Sequence, residues 1–266
     1  MNGTEEKAEF REIPPELKAV LEAHRRWVDS EGREGARADL RKADLSRMDL
    51  QGAQFSEADL SGADLSRTDL RGARLRGANL SEANLIQVRL SGADLREADI
   101  QRSRLQKVDL NGANLQRAKL NGSGLEGATL RKASLQGAAL APVVMELADL
   151  SEADLSEASL QGANLRGVEL RGAVLRGADL KKARLQEANL WGADLRGAQL
   201  QHLGSYQDLE PFPETQLLPH MRQILDKQET LDIDKPVVEP PSLAHNYNQY
   251  PLMSDDYQMQ VLTHCD

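Results

Sequence analysis

Aromatic side chains are nearly absent: Phe, Tyr and Trp together make up 3% of the chain. Ordinary globular cores draw much of their buried area from those rings, so this core must be assembled from many small aliphatic contacts. Cysteine occurs once, at Cys265, which excludes an internal disulfide and fits a reducing compartment. No long apolar run opens the chain. The stretch "MNGTEEKAEFREIPPELKAV" carries acids instead, which argues against a secretory signal or membrane span and for a cytoplasmic protein. Histidine is missing between His24 and His202. A nucleophile paired with an imidazole base cannot be built there. No stretch matches a phosphate loop or a spaced set of metal ligands, and His264 beside Cys265 is too little for a metal site. These absences point to a non-enzyme that holds no cofactor.

Charge is unevenly placed. The formal net charge is −9, but residues 37–200 hold 22 acids and 24 bases, a net of +2. Residues 201–266 hold 11 acids and three bases, a net of −8, and residues 1–36 contribute −3. Acidity belongs to the tail.

What the chain has is a period of five. In "SEADLSGADLSRTDL", residues 56–70, Ala or Thr precedes each Leu by two. Counting from Leu40 to Leu200 in fives gives 33 positions with no insertion, 30 of them Leu and the others Phe55, Ile100 and Met145. Two residues earlier lies a second set, from Ala38 to Ala198, of which 25 are Ala. A helix turns about 100° per residue and would spiral these leucines around its axis. A continuous strand would point every second one into water. Residues two apart on a strand share a face, and a step of three keeps that face only if the chain turns a corner. The repeat therefore reads as short extended segments joined by corners, with the Ala–Leu side facing inward: a β-solenoid.

The corners agree. The second of the two residues between a Leu and the next Ala is Gly in 15 of 33 repeats, as the positive φ of a type II turn favours. Asp or Asn precedes Leu in 18 of 33, and their side chains bond readily to nearby backbone. Eight residues of the second set depart from Ala: Met48, Thr68, Val88, Val108 and Val168, spaced by multiples of twenty, and Ser103, Ser123 and Val143, spaced by twenty.

Runs such as "SGADL", "RGANL", "SEANL" and "RGAVL" resemble the pentapeptide-repeat family, with its A-(D/N)-L-x-x consensus, over about residues 36–203. The resemblance implies a right-handed quadrilateral parallel β-helix, here of about eight coils, with a solid interior.

The flanks divide the remainder. Residues 1–36 form an N-terminal segment whose residues 15–30, with Leu17, Val20, Leu21, Trp27 and Val28 at helical spacing, read as an amphipathic helix capping the first coil. His24, on the same stripe, reads as a packed or rim histidine. The solenoid occupies 37–203. Residues 204–234 carry "TQLLPHMRQILDKQ", with Leu217, Leu218, Met221, Ile224 and Leu225 on one helical face, either a cap or the seat of a homodimer. Residues 235–266 are a linker and a tail that retains Tyr247, Tyr250 and Tyr257.

Function follows by exclusion. A rigid rod suits a scaffold that docks an as yet unidentified protein partner, and the candidate contact residues are Trp191, Met221, Tyr247, Tyr250 and Tyr257. The family resemblance supplies the alternative, a DNA-mimic protector or modulator of DNA gyrase. That reading needs an acidic rod, and the side holding Asp49, Asp69, Asp109, Asp149 and Glu169 is diluted by Arg47, Arg67 and Arg89. Direct nucleic-acid binding is not expected, because Arg41, Lys42, Arg102, Arg104, Lys181, Lys182 and Arg184 share a side but not a continuous stripe. Ice binding fails for want of threonine, which residues 37–200 supply only at Thr68 and Thr129.

Overall fold

The computed structural model describes residues 10–200, and within them the chain winds in coils of 20 residues. Parallel bridges join each outward residue to the one 20 further on, from Asp39↔Asp59 to Asp179↔Gln199, with no rung missing. Leu40 donates its N–H to the Asp59 carbonyl at 2.7 Å, and Asp59 donates its own to the Ala38 carbonyl at 3.0 Å. Five residues to a side and 20 to a coil give four sides, which begin at Ala38, Ala43, Met48 and Ala53 in the first coil. At about 4.8 Å per layer, eight coils make a column roughly 40 Å long.

Each corner is a four-residue turn. Ala43 donates to the Leu40 carbonyl at 3.1 Å, and Lys42, third in the turn, has φ of 59°. From Lys42 to Gly197 every residue at this place has positive φ except Pro142. Glycine meets that geometry freely, yet Lys, Arg and Glu hold it too, at about 1–2 kcal/mol each. The ladder explains why they stay: Lys42 N–H donates to Ser61 O at 3.0 Å, so the corner amide is tied to the next coil whatever side chain it carries. Where an Asp precedes the Leu, its carboxylate locks the turn from outside. Oδ1 of Asp44 accepts from the Ser46 N–H at 3.0 Å, and Oδ1 of Asp64 does the same with Ser66 at 2.9 Å.

Every inward residue of the repeat is buried except Ala43 and Ala53, both in the first coil, which has no neighbouring coil on one side. Where a hydroxyl replaces Ala, it finds a carbonyl: Thr68, Ser103 and Ser123 donate to Leu45, Leu80 and Ile100 at 2.7, 2.6 and 2.7 Å. A polar atom in a dry core is tolerated on that condition.

Helix α1, Pro15–Asp29, lies against the first coil. Pro15 suits the first helical position, where its missing N–H costs nothing. Leu17 joins the core, with Ile13, Val20 and Leu21 packed on it. Ahead of α1, Arg11 pairs in parallel with Met48 and donates its N–H to Arg47 O at 2.6 Å, covering part of the open edge. His24 is fully buried and stacks on Trp27 with ring centroids 5.7 Å apart, the packed position its stripe suggested. After α1, Gly35 passes so close that a Cβ there would lie 2.1 Å from the Ala23 carbonyl oxygen.

Candidate docking surface

With the core filled and the ladder closed, chemistry is confined to the outward rows. Among the described residues no group of His, Cys, Asp or Glu is placed to hold a metal ion, and no helix is long and apolar enough to cross a membrane. Two hollows border α1 and lie outside the column's core. One is lined by Leu21, Arg25, Ala53 and Arg74, the other by Trp27, Val28 and Glu57.

The third side, acidic by sequence, is neutralised in part, with Asp69, Asp149 and Glu187 ion-paired. The Asp69 side chain is 0% exposed and is gripped by Arg71 at 2.7 Å, with Arg89 at 3.6 Å. Burial pushes its carboxyl up, but the Arg71 guanidinium and N–H outweigh this and hold it below the usual carboxylate range. Glu187 pairs with Arg166 at 3.0 Å. At the first coil, Asp39 is drawn to about 2 by Arg41, and Asp44 to about 2 by Ser46 and Arg11. These carboxylates serve corners and neighbouring coils, which leaves no unbroken acidic stripe.

The second side carries the basic residues that the sequence groups together. Arg102 reaches Glu82 at 3.0 Å and Lys181 lies 3.8 Å from Asp179. Arg104, Lys107, Lys182 and Arg184 form no ion pair among the described residues. Between these bases lies a feature the five-residue count conceals. The corner at Ala141 and Pro142 is joined by a cis peptide bond, and Val143, like Met48 and Ser103, does not make the bond back across its corner that closes the others. Val144 and Leu147, 37% and 73% exposed, are the large apolar side chains on the described surface. The signal was available in "APVVMEL", where Pro142, Val144 and Leu147 occupy outward positions that are mostly polar elsewhere.

Of the candidate contact residues, Trp191 alone falls in the described region. It is half-buried, with the Arg171 guanidinium over its ring at 5.0 Å, one coil away. Met221, Tyr247, Tyr250 and Tyr257 lie outside the described residues, as do the segments 204–234 and 235–266 and any dimer contact they make.

The family model described as pentapeptide repeats matches in eight copies, over residues 36–72, 73–112, 109–141, 148–186 and 173–203, leaving out 142–147. No curated protein matches. Among solved structures, the chain is similar to HetL, a pentapeptide repeat protein involved in heterocyst differentiation regulation from the cyanobacterium Nostoc sp. strain PCC 7120. The two are 32% identical over 67% of this chain and 93% of that one, with a TM-score of 0.31. QnrB1, a plasmid-mediated fluoroquinolone resistance protein, is 23% identical over 72% of this chain and 91% of its own, with a TM-score of 0.44. A second pentapeptide repeat protein from Nostoc PCC 7120 is 36% identical over 40% and 80%, with a TM-score of 0.33. The five-residue cadence, the 20-residue coil and the family match agree, and the chain belongs to the pentapeptide-repeat family.

Proposed function

We propose that this protein is a non-enzymatic, cytoplasmic scaffold: a rigid right-handed column, capped at its first coil by α1, that presents outward rows to a protein partner. The observation that carries the reading is the unbroken ladder over a filled interior. Backbone groups are engaged between coils and the inward side chains are packed, so only the outward rows are free to meet another molecule. Affinity capture with the full-length protein, followed by reconstitution with the purified partner, tests it. A saturable one-partner complex supports the scaffold, and no reproducible partner across salt conditions removes it.

A DNA-mimic action on gyrase has weaker support. The described carboxylates are distributed among arginines, and the column between 37 and 200 has a net charge of +2. A gyrase supercoiling assay separates the two: protection or inhibition at micromolar protein favours the mimic, and no effect favours the scaffold.

A further inference from the structure

The exposed apolar residues of the sixth coil sit at the centre of an ordered surface. Bridges string one outward row as Arg104, Gly124, Val144, Asn164 and Arg184, so Val144 is two rungs from an arginine on either side. The 20-residue register repeats this order along both flanking corners. Pro142 lies between Gly122 and Gly162, with Arg102 and Lys182 beyond, and Leu147 lies between Gly127 and Gly167, with Lys107 and Glu187 beyond. Glycine on both flanks keeps the neighbouring coils low. Leu147 leans over Gly167, where a Cβ would come within 2.8 Å of its Cδ2. The result is an apolar shelf across one side of the column, rimmed at one end by Arg102, Arg104 and Lys107 and at the other by Lys182, Arg184 and Glu187.

Arg104, Lys107, Lys182 and Arg184 have no ion-pair partner among the described residues. The carboxylates nearest the shelf, Glu126 and Glu146, accept from amides of Gln106 at 3.0 Å and Asn164 at 2.6 Å. Four unpaired bases thus stand around an apolar surface whose border carboxylates are Glu126, Glu146 and Glu187, the last paired with Arg166 at 3.0 Å. Its complement is an apolar segment that carries acids and no bases.

This chain contains such a segment. Residues 251–262, "PLMSDDYQMQVL", combine Leu252, Met253, Tyr257 and Val261 with Asp255 and Asp256, and no Lys or Arg occurs after Lys235. The described chain ends at Leu200, about 14 Å or three layers from the shelf, and 50 residues separate it from residue 251. That length reaches the shelf with slack, and a tether raises the effective concentration of even a weak ligand to the millimolar range. We propose that residues 251–262 dock in cis on the Pro142–Val144–Leu147 shelf. The inference is independent of the scaffold reading.

Cys265, the sole cysteine, accepts a spin label three residues past the segment without any mutation. In the full-length protein, the label is expected to broaden methyl resonances of Val144 and Leu147 and leave those of Leu45 sharp. Val144→Asp with Leu147→Glu removes the apolar contact and adds repulsion. The fold accepts both, because Asp64 and Glu187 already occupy the same rows. Broadening near the shelf should be lost, read on Val143 and Leu125, with the melting curve intact. Asp255→Lys with Asp256→Lys, which touches no described residue, should weaken it likewise. Broadening confined to the last coil, or unchanged by both variants, overturns the proposal. So does broadening that appears only between a labelled chain and an isotopically enriched second copy.

Discussion

The Ala38 N–H donates to Nδ1 of His24 at 3.1 Å, so a helix side chain ties the first inward residue of the repeat to α1. The bond requires a neutral imidazole with an unprotonated Nδ1. Burial lowers the His24 pKa from its ordinary value, with the Ser56 carbonyl opposing it and the Arg37 charge adding to it.

A base whose folded pKa is depressed binds its proton more readily in the unfolded chain. Stability from this junction is therefore full above the unfolded value of about 6.5 and declines as pH falls below it. Urea unfolding at pH 8 and pH 5 should show this decline. His24→Asn, whose Oδ1 stands near the position of Nδ1, should flatten it. Asp39 and Asp44, drawn to about 2, act in a separate window: their contribution is present above about 4 and disappears only toward pH 2.

Two glycines with similar φ should respond differently to alanine. At Gly52 a Cβ meets nothing within 4 Å, so Gly52→Ala costs only the left-handed backbone, about 1 kcal/mol. At Gly35 the Cβ would lie 2.1 Å from Ala23 O and 2.9 Å from Trp27 N, both backbone atoms of α1. Gly35→Ala should cost several times more, and hydrogen exchange should show α1 losing protection before the middle coils do.

Leucine in this chain has two unrelated roles. Leu110 is wholly buried between coils, and Leu110→Ala should destabilise by about 2–5 kcal/mol through lost burial and the cavity left behind. Leu147→Ala removes a side chain that is 73% exposed and should stay within about 0.5 kcal/mol of the parent. Denaturant midpoints of the two variants check the contrast.

Asp69 tests how the buried charge is held. Arg71→Ala leaves a carboxylate with no exposure held by the residue-71 N–H, the Gln51 amide and the longer contact to Arg89, and a loss of about 2 kcal/mol is expected. The Asp69 pKa should rise at the same time, so the variant loses stability at higher pH than the parent on acid titration. Asp69→Asn, which removes the charge and keeps the shape, should cost less.

How much of this was legible in the sequence depended on which side of the wall a residue occupies. Burial imposes a period, so the Ala and Leu sets declared a coil with a dry core before any coordinates, while its four sides came from the family resemblance. The positive φ of the corners was readable at Gly52 or Gly62, but not at Lys42 or Glu57, where the inter-coil amide bond rather than the residue type enforces it. Outward positions carry no period. The shelf at Pro142, Val144 and Leu147 left no mark on the count of five, because the inward residues Leu140, Val143, Met145 and Ala148 keep perfect time beneath it, and only the residue types at the outward positions showed it. The partnership of Trp191 with Arg171 and of Asp69 with Arg89 spans a single coil, and appears only once 20 residues are known to close one. His24 was readable as a packed or rim histidine from its place on the apolar stripe of α1, but not as the acceptor for Ala38.

The 20-residue register is the claim on which the surface rows, the shelf and the scaffold all depend. It can be measured with paired cysteines in a Cys265→Ser background. Asn114→Cys with Ser134→Cys places thiols on adjacent rungs of one row, at the strand spacing a disulfide can bridge. Asn114→Cys with Ala139→Cys places them on different sides of the column. The account predicts rapid, complete oxidation of the first pair with the native melting curve retained, and none of the second. Oxidation of the 25-residue pair in preference to the 20-residue pair would contradict it.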